Sequence, residues 1–106
     1  MPKFLVSAKY TSDGTTGLLR SSASARRKAV EDLVTSLGGT LDAFYFSFGS
    51  DDAIIIIDLP STEAALSVAF AVRASGMVQS TTTPLISVDE ADRAVEHHVA
   101  YRPPGA

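Results

Sequence analysis

An α+β fold, with two helices laid on one face of a four-stranded antiparallel sheet, is predicted by three features of this sequence. The first is the stretch from Asp42 to Pro60. There Phe44, Phe46 and Phe48 alternate with Ala43, Tyr45 and Ser47, and Gly49-Ser50-Asp51-Asp52 leads into Ala53-Ile54-Ile55-Ile56-Ile57. β-Branched and aromatic residues at that density, bounded by turn formers and by Pro60, predict a hairpin. The second is a strand-like alternation at each end of the chain, Lys3 to Tyr10 and Met77 to Ile86. The third is a helical pattern on either side of the hairpin, which sets the order β-α-β-β-α-β.

In Lys3 to Tyr10, Phe4, Val6, Ala8 and Tyr10 share one face and Lys3, Leu5, Ser7 and Lys9 the other, as a half-buried strand requires. Thr11 to Ala23 is rich in Ser, Thr and Gly and reads as a connection, with Gly17 to Arg20 as a short helical piece. Ser24 to Leu37 reads as a helix: Ser24 is an N-cap residue, Val30, Leu33, Val34 and Leu37 form a stripe, and Gly38-Gly39 stops it. Arg27, Lys28, Glu31 and Asp32 occupy its other face, and the cluster Arg26-Arg27-Lys28 reads as solvated.

Beyond the hairpin, Pro60-Ser61-Thr62-Glu63 opens a second helix with a hydroxyl cap and an acid in the first turn. Ala64 to Ala74 is apolar around most of its circumference and built from small residues, which let a helix lie close to a sheet. Met77 to Ile86 is the most polar strand, and Pro84, which has no N–H to donate, predicts an edge position. Ser87-Val88-Asp89-Glu90 is a capping box for a short third helix with Ala91, Ala94, Val95 and His98 on a narrow stripe. Residues 1–98 are read as one domain and residues 99–106 as an extended tail. The whole is a ferredoxin-like sandwich with a short C-terminal helix, in the strand order 4-1-3-2.

Such a sandwich leaves one sheet face bare, and both faces of the hairpin are apolar. A chain of 106 residues has too few helices to cover both. The expected cover is a second copy, giving a homo-oligomer of the dimeric α+β barrel type in which each partner hides about 800 Å². Ile55 and Tyr45 are expected on the face buried between chains.

Composition narrows the function classes. The chain is 45% hydrophobic and 20% charged, as globular domains are, and its net charge of −3 leaves no electrostatic footprint for nucleic acid or for an anionic membrane. The absence of cysteine excludes disulfides, thiolate metal sites and cysteine nucleophiles. No apolar run approaches the ~18 residues of a spanning helix and no apolar leader precedes the first strand, so a cytoplasmic protein is expected.

These residues resemble a known family. Gly38-Gly39, Tyr45, Gly49, Asp52, the isoleucine run, Leu59-Pro60, Gly76 and Thr81-Thr82-Thr83 are similar to the GYD domain family of small prokaryotic proteins. So are the opening Met1-Pro2-Lys3-Phe4-Leu5 and the helix start Ser24-Ala25-Arg26-Arg27, and the likeness covers about residues 1 to 95. It implies a ferredoxin-like fold and self-association, and brings no established reaction. At the turn that carries the Gly-Tyr-Asp element this chain reads Gly49-Ser50-Asp51-Asp52, with Asp51 in place of the tyrosine.

Three sets of residues could carry chemistry. Asp51, Asp52 and Asp58 read as turn and strand-end residues, because adjacent turn positions diverge whereas a hard cation needs converging oxygens. His97 and His98 are neighbours on a helix, about 100° apart, and are poorly placed to chelate one metal as an i,i+4 pair does; the alternative is a metal shared across a dimer. Tyr10, Tyr45, Ser47 and Thr81 to Thr83, with Lys9, are polar groups on strands of one sheet. Two readings stand for them: Tyr45 and the threonines pack the dimer interface, their hydroxyls paired to backbone or water, or Tyr10, Tyr45, Ser47, Thr81 and Thr83 contact a small apolar or aromatic ligand. No nucleophile elbow, Gly-rich phosphate loop or metal-ligand spacing occurs, so no cofactor is expected. The alternative on this architecture is a cofactor-independent monooxygenase or isomerase, by analogy of fold. A cavity holding an inward Arg, His or Tyr would favour it, and a packed interior with Arg26 and His97 outside would favour a binding module.

Overall fold

The computed structural model describes residues Met1–Ala106. The elements are β1 (Lys3–Tyr10), α1 (Ser12–Arg20), α2 (Ala23–Ser36), β2 (Thr40–Phe46), β3 (Ala53–Asp58), α3 (Thr62–Ala74), β4 (Val78–Leu85) and α4 (Val88–Glu96). The strands form one antiparallel sheet in the order β2-β3-β1-β4, so the ferredoxin-like topology and the edge position of Pro84 both hold.

Register divides the sheet into two faces. Phe4 lies opposite Ile57, Val6 opposite Ile55 and Ala8 opposite Ala53, while Phe44 lies opposite Ile55 across β2. These side chains, with Val78 and Ser80 from β4, face α2 and α3. Phe4, Ala8, Val34, Ala53, Ile55, Ile57, Leu59, Ala65, Val68 and Val78 make up the core. Ile55 is thus 5% exposed beneath the helices, not on the face with Tyr45. In an unbroken isoleucine run nothing in the sequence marks which parity points inward, and pairing with β1 decides it.

Each helix begins on a hydroxyl cap, which satisfies N–H groups that the helix leaves free. Ser22, not Ser24, caps α2 by accepting from Ala25 N–H at 3.0 Å, and Ser61 caps α3 by accepting from Ala64 N–H at 3.2 Å. The largest departure is α1, a nine-residue helix where a connection was expected. Its interior, Gly14-Thr15-Thr16-Gly17, has poor helix propensity. Anchoring makes up for it: Thr11 Oγ1 accepts from Gly14 N–H and donates to Gly76 O at 3.0 Å, and Thr11 N–H donates to Met77 O at 2.9 Å. A Cβ on Gly14 would sit 2.0 Å from Met77 O, so glycine is what lets α1 approach this turn.

The C-terminal part is the second departure. α4 makes no substantial packing contact with any other element, and every residue from Ile86 to Ala106 is exposed. The half-formed capping box is present, with Glu90 N–H donating to Ser87 Oγ at 3.1 Å. Its apolar side has nothing to lie on: Val88 is 78% exposed and Val95 83%. The chain therefore measures 56 × 34 × 23 Å, with a radius of gyration of 16.9 Å. A compact chain of this length would have about 13 Å.

Candidate functional site

The five expected contact residues do not converge. Tyr45, Thr81 and Thr83 share the open sheet face, where Tyr45–Ile54–Ser7–Thr81 and Ala43–Ile56–Leu5–Thr83 run across the four strands as two rows. β2 and β4 are the outer strands, so Tyr45 and Thr81 stand about 14 Å apart at three strand spacings. Tyr10 lies at the end of β1 on the helix-facing side. Ser47 belongs to the turn after β2, where its N–H donates to Asp52 O at 2.8 Å and its Oγ accepts from Gly49 N–H at 3.3 Å.

At one end of the open face Lys3 Nζ donates to both Asp42 and Asp58, the latter at 2.8 Å. Asp42 reaches this cluster because the β2–β3 register shifts between Leu41 and Ala43, leaving Asp42 as the extra residue of a bulge. The hydrogen bond to Asp42, then the one to Asp58, holds Lys3 above the ordinary lysine value. The same ammonium holds the Asp42 carboxyl below the ordinary carboxylate range. Asp58 is therefore a partner of Lys3, and no cluster of His, Asp or Glu groups suited to a metal ion exists. His97 and His98 lie exposed at the end of α4.

The concavity of the molecule is on the other face. α2 packs mainly over β2 and α3 mainly over β4, so the helices diverge above the central strands. The groove between them has a volume of about 300 Å³, with Val6 and Ile55 as floor and Val30, Leu33, Val68 and Val72 among its walls. Its polar groups are Arg26, Ser75 and Ser80. A second cavity of about 310 Å³ under α1 adjoins it, is lined by Tyr10 and Asp13 among others, and shares Arg26, Ala29, Met77 and Val78 with the first.

The cationic trio at the start of α2 is split by helix geometry. Arg27 pairs with Glu31 at 3.5 Å and Lys28 pairs with Asp32, both on the solvent side as expected. Arg26 instead turns under the helix, with its guanidinium carbon 5.9 Å from the centroid of the Tyr10 ring. The reading of all three as solvated is corrected for this residue. The signal was present: residues 26, 30, 33 and 37 fall on one stripe at helical spacing, and three of them are Val30, Leu33 and Leu37.

The GYD domain family profile matches residues 4–95. The chain belongs to the GYD domain family. No curated protein and no solved structure matches it. In this GYD chain the Gly49 to Asp52 turn has a clear structural task. The Asp52 carboxylate accepts from Tyr10 N–H at 2.8 Å, and Asp52 N–H donates to Ala8 O at 2.8 Å. Asp52 thus fastens the hairpin turn to the end of β1, across the chain rather than to its own turn backbone. Asp51, at the tyrosine position, makes no side-chain hydrogen bond. No helix of the GYD chain is long and apolar enough to cross a membrane.

Proposed function

We propose that the protein is a cytoplasmic homo-oligomeric GYD module that pairs through its open sheet face and binds a small apolar ligand in the groove between α2 and α3. The observation that carries self-association is surface. The single chain exposes 7337 Å², whereas a compact monomer of 11.1 kDa exposes roughly 5,700 Å². The excess of roughly 1,700 Å² is twice what one partner gives up in a standard interface, about 800 Å². Part of it belongs to the projecting segment 86–106, every residue of which is exposed, and part to apolar groups without cover of their own, among them Tyr45 and the half-buried Leu5, Ile54 and Ile56 of the open face and Val88 and Val95 of α4. A second copy placed sheet to sheet covers the open face and brings its own α4 within reach of the pair, as in a dimeric α+β barrel.

The groove supports the second half of the proposal. It is apolar, open between the helices and of the size of small-ligand sites. Arg26 does turn into the groove, a feature expected of the enzyme alternative, but a guanidinium only donates hydrogen bonds and the walls contain no His, Asp, Glu or Tyr to move a proton in cofactor-independent monooxygenase or isomerase chemistry, so binding is the reading they support. Native mass spectrometry of protein purified without denaturation tests both halves together. The expected species is a dimer or larger ring carrying a reproducible small mass. A bare monomer at micromolar concentration would reject both halves.

A further inference from the structure

We propose that the ligand of the groove is an organic anion, with an apolar body between α2 and α3 and a carboxylate or similar head held by Arg26. The inference rests on the ligand-binding reading above and names the chemistry of that ligand. Arg26 is the one cation of its cluster without an acid: the ion pairs of the chain involve Lys3, Arg27 and Lys28. Its Nε is buried and has no hydrogen-bond partner. Buried N–H donors in folded proteins are nearly always paired, so an unpaired one on a guanidinium beside a groove marks a place for an acceptor. The groove itself offers none with charge. Asp13 lines only the adjoining cavity and forms no ion pair with Arg26.

The guanidinium is also held in place in advance. Its contact with the Tyr10 ring is of the cation–π kind, and the Tyr10 main chain is held by the bond from its N–H to Asp52. A planar fork of donors at the junction of two cavities suits a carboxylate, which accepts two parallel hydrogen bonds. Size sets the rest of the ligand. A 150 Å³ apolar cavity holds benzene, so about 300 Å³ takes roughly twelve non-hydrogen atoms, the scale of a medium-chain or aromatic carboxylic acid.

The test compares sodium octanoate with 1-octanol, nearly equal in length and different in charge, by NMR titration of the full chain and of Arg26→Met and Arg26→Lys. Octanoate is expected to bind the unsubstituted chain at least about tenfold more tightly than the alcohol, shifting resonances of Val30, Leu33 and Val68. Arg26→Met keeps the apolar stem and removes the unpaired donor. It should melt no lower than the unsubstituted protein, bind both compounds equally, and so separate recognition from a structural role. Arg26→Lys, which keeps the charge without the fork, should retain only part of the preference. Equal binding by the unsubstituted chain, or a preference that survives in Arg26→Met, overturns the anion assignment and leaves the groove as a ligand site. Binding of neither compound overturns the groove reading itself.

Discussion

Substituting Ile56 by aspartate separates the folding of one chain from the pairing of two. Ile56 lies on the open face between Leu5 of β1 and Ala43 of β2, and is half-buried in the single chain. Full burial of an isoleucine side chain is worth about 1.5–3 kcal/mol. Roughly half of that is already realised within the chain, so Ile56→Asp should cost the isolated fold about 1 kcal/mol and lower its melting temperature by about 4–8 °C. The paired state loses far more. In a two-fold pairing through this face, one carboxylate from each copy would enter the same largely apolar layer. Desolvating them should weaken association by at least about 3 kcal/mol, more than a hundredfold in Kd. Ile57→Asp is the contrast, because Ile57 is 2% exposed and faces Phe4 beneath the helices. A carboxylate there should cost more than about 4 kcal/mol and abolish folding. Sedimentation velocity over a wide concentration range, with circular dichroism melts, reads both quantities. A folded, monomeric Ile56→Asp beside an unfolded Ile57→Asp is expected. An Ile56→Asp protein that sediments as the unsubstituted oligomer would refute pairing through this face.

Gly39→Ala should lower stability by about 3 kcal/mol and the melting temperature by about 12 °C in a thermal scan. The new Cβ would meet Asp58 O at 2.1 Å and Leu59 Cδ2 at 2.9 Å, forcing β2 away from the end of β3. The Lys3 cluster predicts a pH dependence with two limbs. Asp42 is depressed, so its contribution is present above the ordinary carboxylate value of 3.8 and is lost as pH falls through its lower folded value. Lys3 is raised, so its contribution is present below 10.5 and is lost as pH rises through the higher folded value. Melts of Asp42→Asn and the unsubstituted protein should therefore differ by a few degrees at most near pH 6, converge below pH 3.8 and above pH 10.5, and differ less in high salt. Removing residues 87–106 in the Ile56→Asp background should leave the melting temperature within about 1–2 °C of the full-length variant, because α4 makes no substantial packing contact within its own chain.

The strand order, both main helices and the caps at Ser61 of α3 and Ser87 of α4 follow from local rules legible in the residues: alternation of period two in Lys3 to Tyr10, the stripe through Val30 and Leu33, and a proline that no central strand tolerates. These rules act between neighbours in sequence, so they need no knowledge of the rest of the chain. α1 was not legible because its residues disfavour a helix, and only the distant Met77 carbonyl, reached by Thr11 and admitted by Gly14, holds it. Nor were the faces of Ile54 to Ile57 legible, since an unbroken apolar run carries no parity until β1 pairs with it. The expected ligand contacts were chosen for polarity along strands, which says nothing of the distance across a sheet, and the structure sets Tyr45 and Thr81 on opposite edges. Arg26 was chemically visible beside Arg27 and Lys28, and its stripe could be counted. What the sequence alone determined is therefore the class, the order of the strands and main helices, and the caps of α3 and α4, but not α1 or the cap of α2. Only the tertiary structure decided that the helices diverge into a groove and that one guanidinium is turned into it unpaired, because both depend on how distant elements pack rather than on the spacing of residues within any one of them.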